Sequence, residues 1–235
     1  MWRASLDQPA DVVSGLSVAL CSAERDRAAR FRFERDRARY IVGRALLRRL
    51  LGGYLGMAPD EVEFRYGAFE KPFLVCDGPW FNVSHSGPVA LYAFSSAAEI
   101  GVDVEEVQRD FSRERIAERF FSPAEVTALR SLPVSDQPRA FLRCWTRKEA
   151  FVKARGDGLS LALDSFDVSL DPDAPAALLR TAWSEHEPVE WGLEDLSDLA
   201  AGYIAAVAQR APGWHVRQLH VIEPILGGEP RQEDQ

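Results

Sequence analysis

Ile100-Gly101-Val102-Asp103-Val104-Glu105 is the stretch from which the rest of the chain is best read. Residues two apart on a strand share a face, so Val102 and Val104 point one way and Asp103 and Glu105 the other. The spacing predicts a strand with an apolar core face and two adjacent carboxylates. Two hard oxygen donors at that separation suit Mg²⁺, which keeps several waters and adds substrate phosphates. The plain structural alternative is a half-buried strand with a solvated acidic face.

On the N-terminal side, Val89 to Ser95 predicts a second strand, and the small-residue link Ser96-Ala97-Ala98-Glu99 predicts a hairpin between the two. On the C-terminal side, Ser122-Pro123-Ala124-Glu125 is a capping box with proline at the first helical position. A helix therefore starts there and runs to about Arg130. Arg139 to Ala154 predicts another helix, stopped by Gly156 and Gly158. Phe166 to Leu170 and Tyr203 to Ala208 read as strands. Far upstream, Ser22 to Leu51 predicts one long helix, with Phe31, Ile41, Leu46 and Leu50 as apolar stripes among arginines. Leu16 to Leu20 and Val62 to Tyr66 read as short strands, Gly67 to Pro72 as a turn, and Gly227 to Gln235 as a frayed polar tail. A helix followed by strands thus occurs before about residue 98 and again after it.

The chain has 235 residues, 46% hydrophobic and 27% charged, which excludes disorder as its main state and allows a core without disulfide or metal staples. No apolar run approaches the roughly 18 residues of a membrane span, and no charged-then-apolar leader opens the sequence. The expectation is a soluble, cytoplasmic protein with no membrane contact. Cys21, Cys76 and Cys144 are odd in number, scattered, and without ligand spacing to the four histidines, which speaks for free thiols over structural zinc. The net charge of −8 argues against nucleic acid as a partner. Yet Glu24 to Arg49 holds ten arginines against four acids, leaving the remainder at −14. Such a local surplus suits a small polyanion better than a duplex.

Three further clusters carry candidate chemistry. In Trp145-Thr146-Arg147-Lys148-Glu149-Ala150-Phe151-Val152-Lys153, helical spacing puts Trp145, Glu149 and Lys153 on one face. Glu149 could join the carboxylates or act as a base, and Lys153 could meet a phosphate oxygen. Otherwise they form a surface pair worth roughly 0.3–0.5 kcal/mol. Phe81-Asn82-Val83-Ser84-His85-Ser86-Gly87 sets hydroxyls, an imidazole and turn amides where an anion could sit, or supplies a structural turn. The arginine helix is a phosphate site or a solvated, salt-bridged face. Cys144, beside Trp145, reads as a buried, inert thiol.

Taken jointly, the segments resemble the 4′-phosphopantetheinyl transferases of the larger, surfactin-synthetase-activating type. The match lies in Phe81-Asn82-Val83-Ser84-His85-Ser86-Gly87, Ile100 to Glu105, Phe121-Ser122-Pro123-Ala124-Glu125, and Trp145 to Lys153, in that order. The resemblance implies an α+β fold of two similar halves packed as an intramolecular pseudo-dimer with coenzyme A in the cleft between them. The halves would be residues 1–98 and 99–225, followed by a flexible tail at 226–235.

The implied reaction transfers phosphopantetheine from coenzyme A to a serine of an apo acyl or peptidyl carrier protein and releases 3′,5′-ADP. By the same resemblance, Asp103, Glu105 and Glu149 hold Mg²⁺, with Mn²⁺ as a substitute. Glu149 is the candidate base and Lys153 grips the transferring phosphoryl group. Ser84, His85, Lys71, Arg27, Arg39 and Arg44 meet coenzyme A phosphates or nucleotide, and Asp103 and Lys153 complete the coenzyme A contacts. The arginines stand where several relatives have lysine, and Gly67-Ala68-Phe69-Glu70 departs from the usual short segment before Lys71. Phe111 to Phe121, with Arg113, Arg115 and Arg119, is either a carrier-docking surface or an amphipathic core helix. The resemblance further implies a monomer. Two other readings compete: a Mg²⁺-dependent phosphohydrolase acting on nucleotides, and a non-catalytic coenzyme A-binding module.

Overall fold

One small residue decides where the strand that carries Asp103 can lie. A Cβ added to Gly101 would sit 2.1 Å from the Ala150 carbonyl oxygen and 2.3 Å from the Ala154 amide nitrogen. The strand backbone is therefore pressed directly onto a helix, an approach that only glycine permits. The structure, a computed structural model, describes residues 1–67, 71–107, 113–156, 158–171, 173–197, 200–211, 213–214 and 216–217.

The elements in order are β1 (Trp2–Ser5), α1 (Ala10–Leu16), α2 (Ser22–Ala29), α3 (Glu34–Leu55), β2 (Phe64–Tyr66), β3 (Pro72–Leu74), β4 (Trp80–Ser86), β5 (Val89–Ser95), β6 (Ile100–Glu106), α4 (Arg113–Phe120), α5 (Pro123–Ser131), α6 (Gln137–Arg155), β7 (Phe166–Val168), β8 (Leu178–Thr181), β9 (Gly192–Asp195) and β10 (Tyr203–Gln209). The fold is mixed α+β. The described residues fall into two units, one of Met1, Trp80–Gly87 and Leu91–Arg217, the other of Trp2–Pro79 and Pro88–Ala90. Among the described residues no helix is long and apolar enough to cross a membrane.

In the first unit β10 is the middle strand of a three-stranded sheet, antiparallel to both β6 and β9, with Ala206 opposite Asp103. Helix α6 covers β6 and β10. Beneath it lies a core in which Phe151 packs on Phe166 and edge-on to Trp191, with ring centroids 4.8 and 4.7 Å apart. The expected hairpin of Val89–Ser95 with Ile100–Glu105 does not form. β5 is hydrogen-bonded to β4, and β6 takes β10 as its partner. β6 is buried along most of its length and needs a neighbour that can be buried with it. Ile204-Ala205-Ala206-Val207-Ala208 is fully apolar and mostly small, so it fits beneath α6.

In the second unit the long helix expected over Ser22–Leu51 is two helices, α2 and α3, separated at Arg30–Phe33. The break lets α2 fold back, so that Glu24 is buried against Arg44 and Arg48 of α3. Phe31 meets Tyr40 at a centroid distance of 5.2 Å across the same turn. Helix α3 ends at Gly56, whose φ of +67° is the left-handed stop and whose N–H donates to the Gly52 carbonyl. The expected strand at Leu16–Leu20 is instead the end of α1 and a short 3₁₀ turn at Ser17–Ala19. Ser17 Oγ donates to the Ser14 carbonyl there, a local bond that favours a helical turn. Residues 68–70 of the expected turn, Phe111 and Ser112 of the docking segment, and the 226–235 tail lie outside the described residues.

Candidate active site

Asp103 is the best-defined of the carboxylates. Only 4% exposed, it accepts hydrogen bonds at Oδ1 from Lys153 Nζ at 2.6 Å and from Ser84 Oγ at 2.9 Å. Its other oxygen, Oδ2, is buried without a hydrogen-bond partner among the described residues. Burial pushes the Asp103 carboxyl above the usual carboxylate range, and Lys153 and Ser84 offset part of that rise. Lys153 Nζ also lies 3.3 Å from Ser84 Oγ and 3.4 Å from the Val102 carbonyl. The structural alternative of a solvated acidic face holds for only half of the pair: Glu105 is partly exposed, whereas Asp103 is covered. Helix α6 and β4 close over it, and Lys153 is the cation that makes its burial tolerable.

Glu105 and Glu149 are each half-buried. Burial raises the Glu105 carboxyl first, with the negative charge of Asp103 adding to it. Burial likewise raises Glu149, followed by the charges of Asp103 and Glu105. The Asp103 charge raises both glutamates and Glu105 raises Glu149, so the three lie near enough to repel, and a divalent cation among them would relieve that repulsion. Among the described residues no three His, Cys, Asp or Glu side chains form a ready-made metal cage. The orphaned Asp103 Oδ2 and the all-oxygen donors nevertheless fit a hard cation that completes its shell with water and phosphate.

Strand β4 runs beside β6 although the two belong to different sheets. Side chains join them at every second residue. Asn82 Oδ1 accepts from the Val102 N–H at 2.9 Å. Ser84 donates to Asp103, as described, and Ser86 Oγ donates to Glu105 Oε2 at 3.1 Å while accepting from the Glu106 N–H at 3.1 Å. The period of two on both strands explains the match. The sequence reading placed the Ser86 hydroxyl only in a candidate anion-binding turn and gave Asn82 no role. The signal was there in the alternation of polar residues at 82, 84 and 86.

The helix that presents Glu149 and Lys153 is pinned by cations on its other faces. Lys148, fully buried, pairs with Glu125 at 2.9 Å and donates to the Leu163 and Phe166 carbonyls at 2.7 and 2.5 Å. Glu125 accepts in addition from the Ser122 and Val168 N–H groups, each at 2.9 Å. The capping box read in the sequence therefore also ties α5 to α6 and β7. Arg147 pairs with Asp195 at 2.9 Å, and Arg155 pairs with Glu187. Gly156 ends the helix at φ +83°, its N–H bonded to the Val152 carbonyl. Cys144 is buried, and burial pushes its thiol well up, so it is no nucleophile.

His85 of this unit is exposed, next to Ser84. Of the segment before α5, Arg119 is exposed with its guanidinium 5.2 Å from the Phe120 ring, while Phe121 is buried and stacked on Phe141. Within the second unit, Arg27 is exposed and lies 5.6 Å from the Tyr40 ring centre. Arg39 makes a two-pronged bond to Asp7 at 2.6 and 2.9 Å. Arg44 pairs with Glu24, bonds Tyr66, and lies 4.3 Å over the Phe64 ring. Lys71 Nζ is 5.7 Å from the Phe73 ring centre. Arg39 and Arg44 therefore already serve carboxylates of their own unit.

Comparison with known proteins follows the same lines. The family model described as 4′-phosphopantetheinyl transferase superfamily matches residues 99–208, and that described as 4′-phosphopantetheinyl transferase, N-terminal, matches residues 2–97. The 4′-phosphopantetheinyl transferase HetI of Nostoc sp. is 40% identical over 220 residues, covering 92% of this chain and 91% of that protein. The 4′-phosphopantetheinyl transferase Sfp of Bacillus subtilis is 35% identical over 157 residues, 66% of this chain and 68% of its own. Among solved structures, the holo-[acyl-carrier-protein] synthase of Thermotoga maritima aligns over 49% of this chain and 64% of that one, at 20% identity and a TM-score of 0.37. That likeness is too loose to add to the assignment.

Proposed function

Because this chain belongs to the 4′-phosphopantetheinyl transferase superfamily, in its Sfp-type branch, we propose that it transfers the phosphopantetheine arm of coenzyme A to a carrier-protein serine, with Mg²⁺, and releases 3′,5′-ADP. The observation that carries this reading is the Lys153–Asp103 pair, with Glu105 on the same strand and Glu149 on the helix of Lys153.

In this scheme the carrier serine oxygen forms a bond to the coenzyme A phosphorus that bears the pantetheine. The bond from that phosphorus to the bridging oxygen breaks, and 3′,5′-ADP leaves with the electron pair. Glu149, on the same helix as Lys153, is the base that takes the serine proton. Lys153 Nζ turns its positive charge to the transferring phosphoryl group. Asp103, Glu105 and Glu149 would hold the Mg²⁺, which when bound neutralises pyrophosphate charge as a Lewis acid.

Ser84, His85, Arg27, Arg39, Arg44 and Lys71 are proposed coenzyme A contacts on the family resemblance. Arg27, exposed, needs no rearrangement to accept a phosphate, whereas Arg39 and Arg44 would share theirs with Asp7 and Glu24. The halves are read as residues 1–98 and 99–225, and the working enzyme as a cytoplasmic monomer.

The test is product analysis by ion-pair chromatography. Release of 3′,5′-ADP that requires both coenzyme A and an apo carrier supports the transferase. Release of phosphate or nucleotide without a carrier supports a phosphohydrolase instead.

A further inference from the structure

The bonding of Ser86 is more specific than a strand-packing role requires. Its hydroxyl sits between two consecutive residues of β6, accepting from the Glu106 N–H and donating to Glu105 Oε2, both at 3.1 Å. A backbone N–H can only donate, so it claims an oxygen lone pair and leaves the hydroxyl proton for the carboxylate. Glu105 needs such a tether. It is half-buried, it is repelled by Asp103, and unlike Asp103 it has no lysine at hydrogen-bond distance among the bonds described. An untethered glutamate would relieve that repulsion by turning toward solvent. The neighbouring pair repeats the arrangement, with Ser84 holding Asp103 from the same face of β4.

We infer that Ser86 is a positioning residue that fixes the Glu105 carboxylate for metal binding, one step removed from the metal itself. The inference rests on the reading of Asp103, Glu105 and Glu149 as the metal-holding set. Hydrogen-bond partners of ligating carboxylates change metal affinity by about 10–100-fold when removed. A side chain whose only task was to satisfy the Glu106 N–H would lower stability and leave metal affinity alone.

The experiment titrates Mn²⁺ into the coenzyme A-saturated protein and follows free Mn²⁺ by electron paramagnetic resonance. Ser86→Ala loses both bonds and is expected to bind Mn²⁺ at least about tenfold more weakly. Ser86→Thr keeps the hydroxyl and is expected to stay within about threefold of the native chain. In steady-state assays the Ala variant regains its kcat at saturating Mg²⁺, with the KM for coenzyme A unchanged. Where Ser86→Ala does not fold, Ser86→Cys, similar in size but a weak donor, replaces it with the same expected loss. Native-like Mn²⁺ affinity in the Ala or Cys variant overturns the inference and leaves the transferase reading intact. A native chain that binds no Mn²⁺ in the presence of coenzyme A overturns the metal reading and the inference together.

Discussion

Lys153 Nζ lies 2.6 Å from Asp103 Oδ1, joining residues 50 positions apart in the chain. The contact exists because β6 is flattened onto α6 at Gly101, which brings the first carboxylate-bearing residue of the strand under the last turns of the helix. Asp103 is too well buried to remain charged alone, and Lys153 is the compensating cation. The same ammonium is the one proposed to face the transferring phosphate.

Lys153→Met is expected to lower kcat/KM for carrier modification by about 100-fold or more, the size found when a single donor to developing charge is removed. Lys153→Arg is not expected to rescue it, because a planar fork cannot replace a compact point charge between Asp103 and Ser84. Steady-state kinetics with an apo carrier decides the matter. A fall of less than about tenfold would mean that Lys153 serves burial of Asp103 and not the reaction.

Gly101→Ala tests the close approach. The new methyl would meet backbone atoms of Ala150 and Ala154, which cannot turn aside as a side chain could. Overpacking of this kind costs about 1–3 kcal/mol and at backbone contacts more. A melting temperature lowered by about 2–4 °C per kcal/mol is expected, together with a loss of turnover beyond what instability explains. An unchanged melting point would show that the strand has room to move away.

Glu24 links acidity to the stability of the second unit. Burial alone would raise its carboxyl, but bonds from Arg48 and Arg44 bring it below its ordinary value. A carboxyl lowered in the folded state adds stability above the unfolded value near 4.5, and that stability is lost as pH falls through the lowered folded value. Glu24→Gln leaves Arg48, 3% exposed, without its charge partner, a change that costs about 3–5 kcal/mol at pH 7. Urea midpoints of native and variant chains are expected to converge as pH drops from 4.5 through the lowered folded value. A gap that stays constant with pH would contradict the role of the Glu24 charge.

How much of this was legible in the sequence follows from the range of the interactions involved. The Ser122–Glu125 capping box, the Gly156 stop and the strand carrying Asp103 and Glu105 are local, and each was read correctly. The Glu149–Lys153 spacing and the inert Cys144 were also visible, since a helix period and apolar neighbours suffice for them. What failed depended on distant partners. β6 could have paired with β5 on local signals, and only β10 with its run of small residues, a hundred positions on, decides otherwise. Arginine count could not reveal that Arg48 is buried on Glu24 and the Pro59 and Val62 carbonyls. The burial of Asp103 likewise depends on β4 and α6 together, which alternation within one strand cannot express.

The most direct measurement is the intact mass of an apo carrier protein after incubation with this chain, coenzyme A and Mg²⁺. The mass is expected to rise by one phosphopantetheine, with no rise in the presence of EDTA or with the carrier serine replaced by alanine. No rise on any of several unrelated carriers, while the chain still binds coenzyme A, would contradict the transferase and leave a binding module.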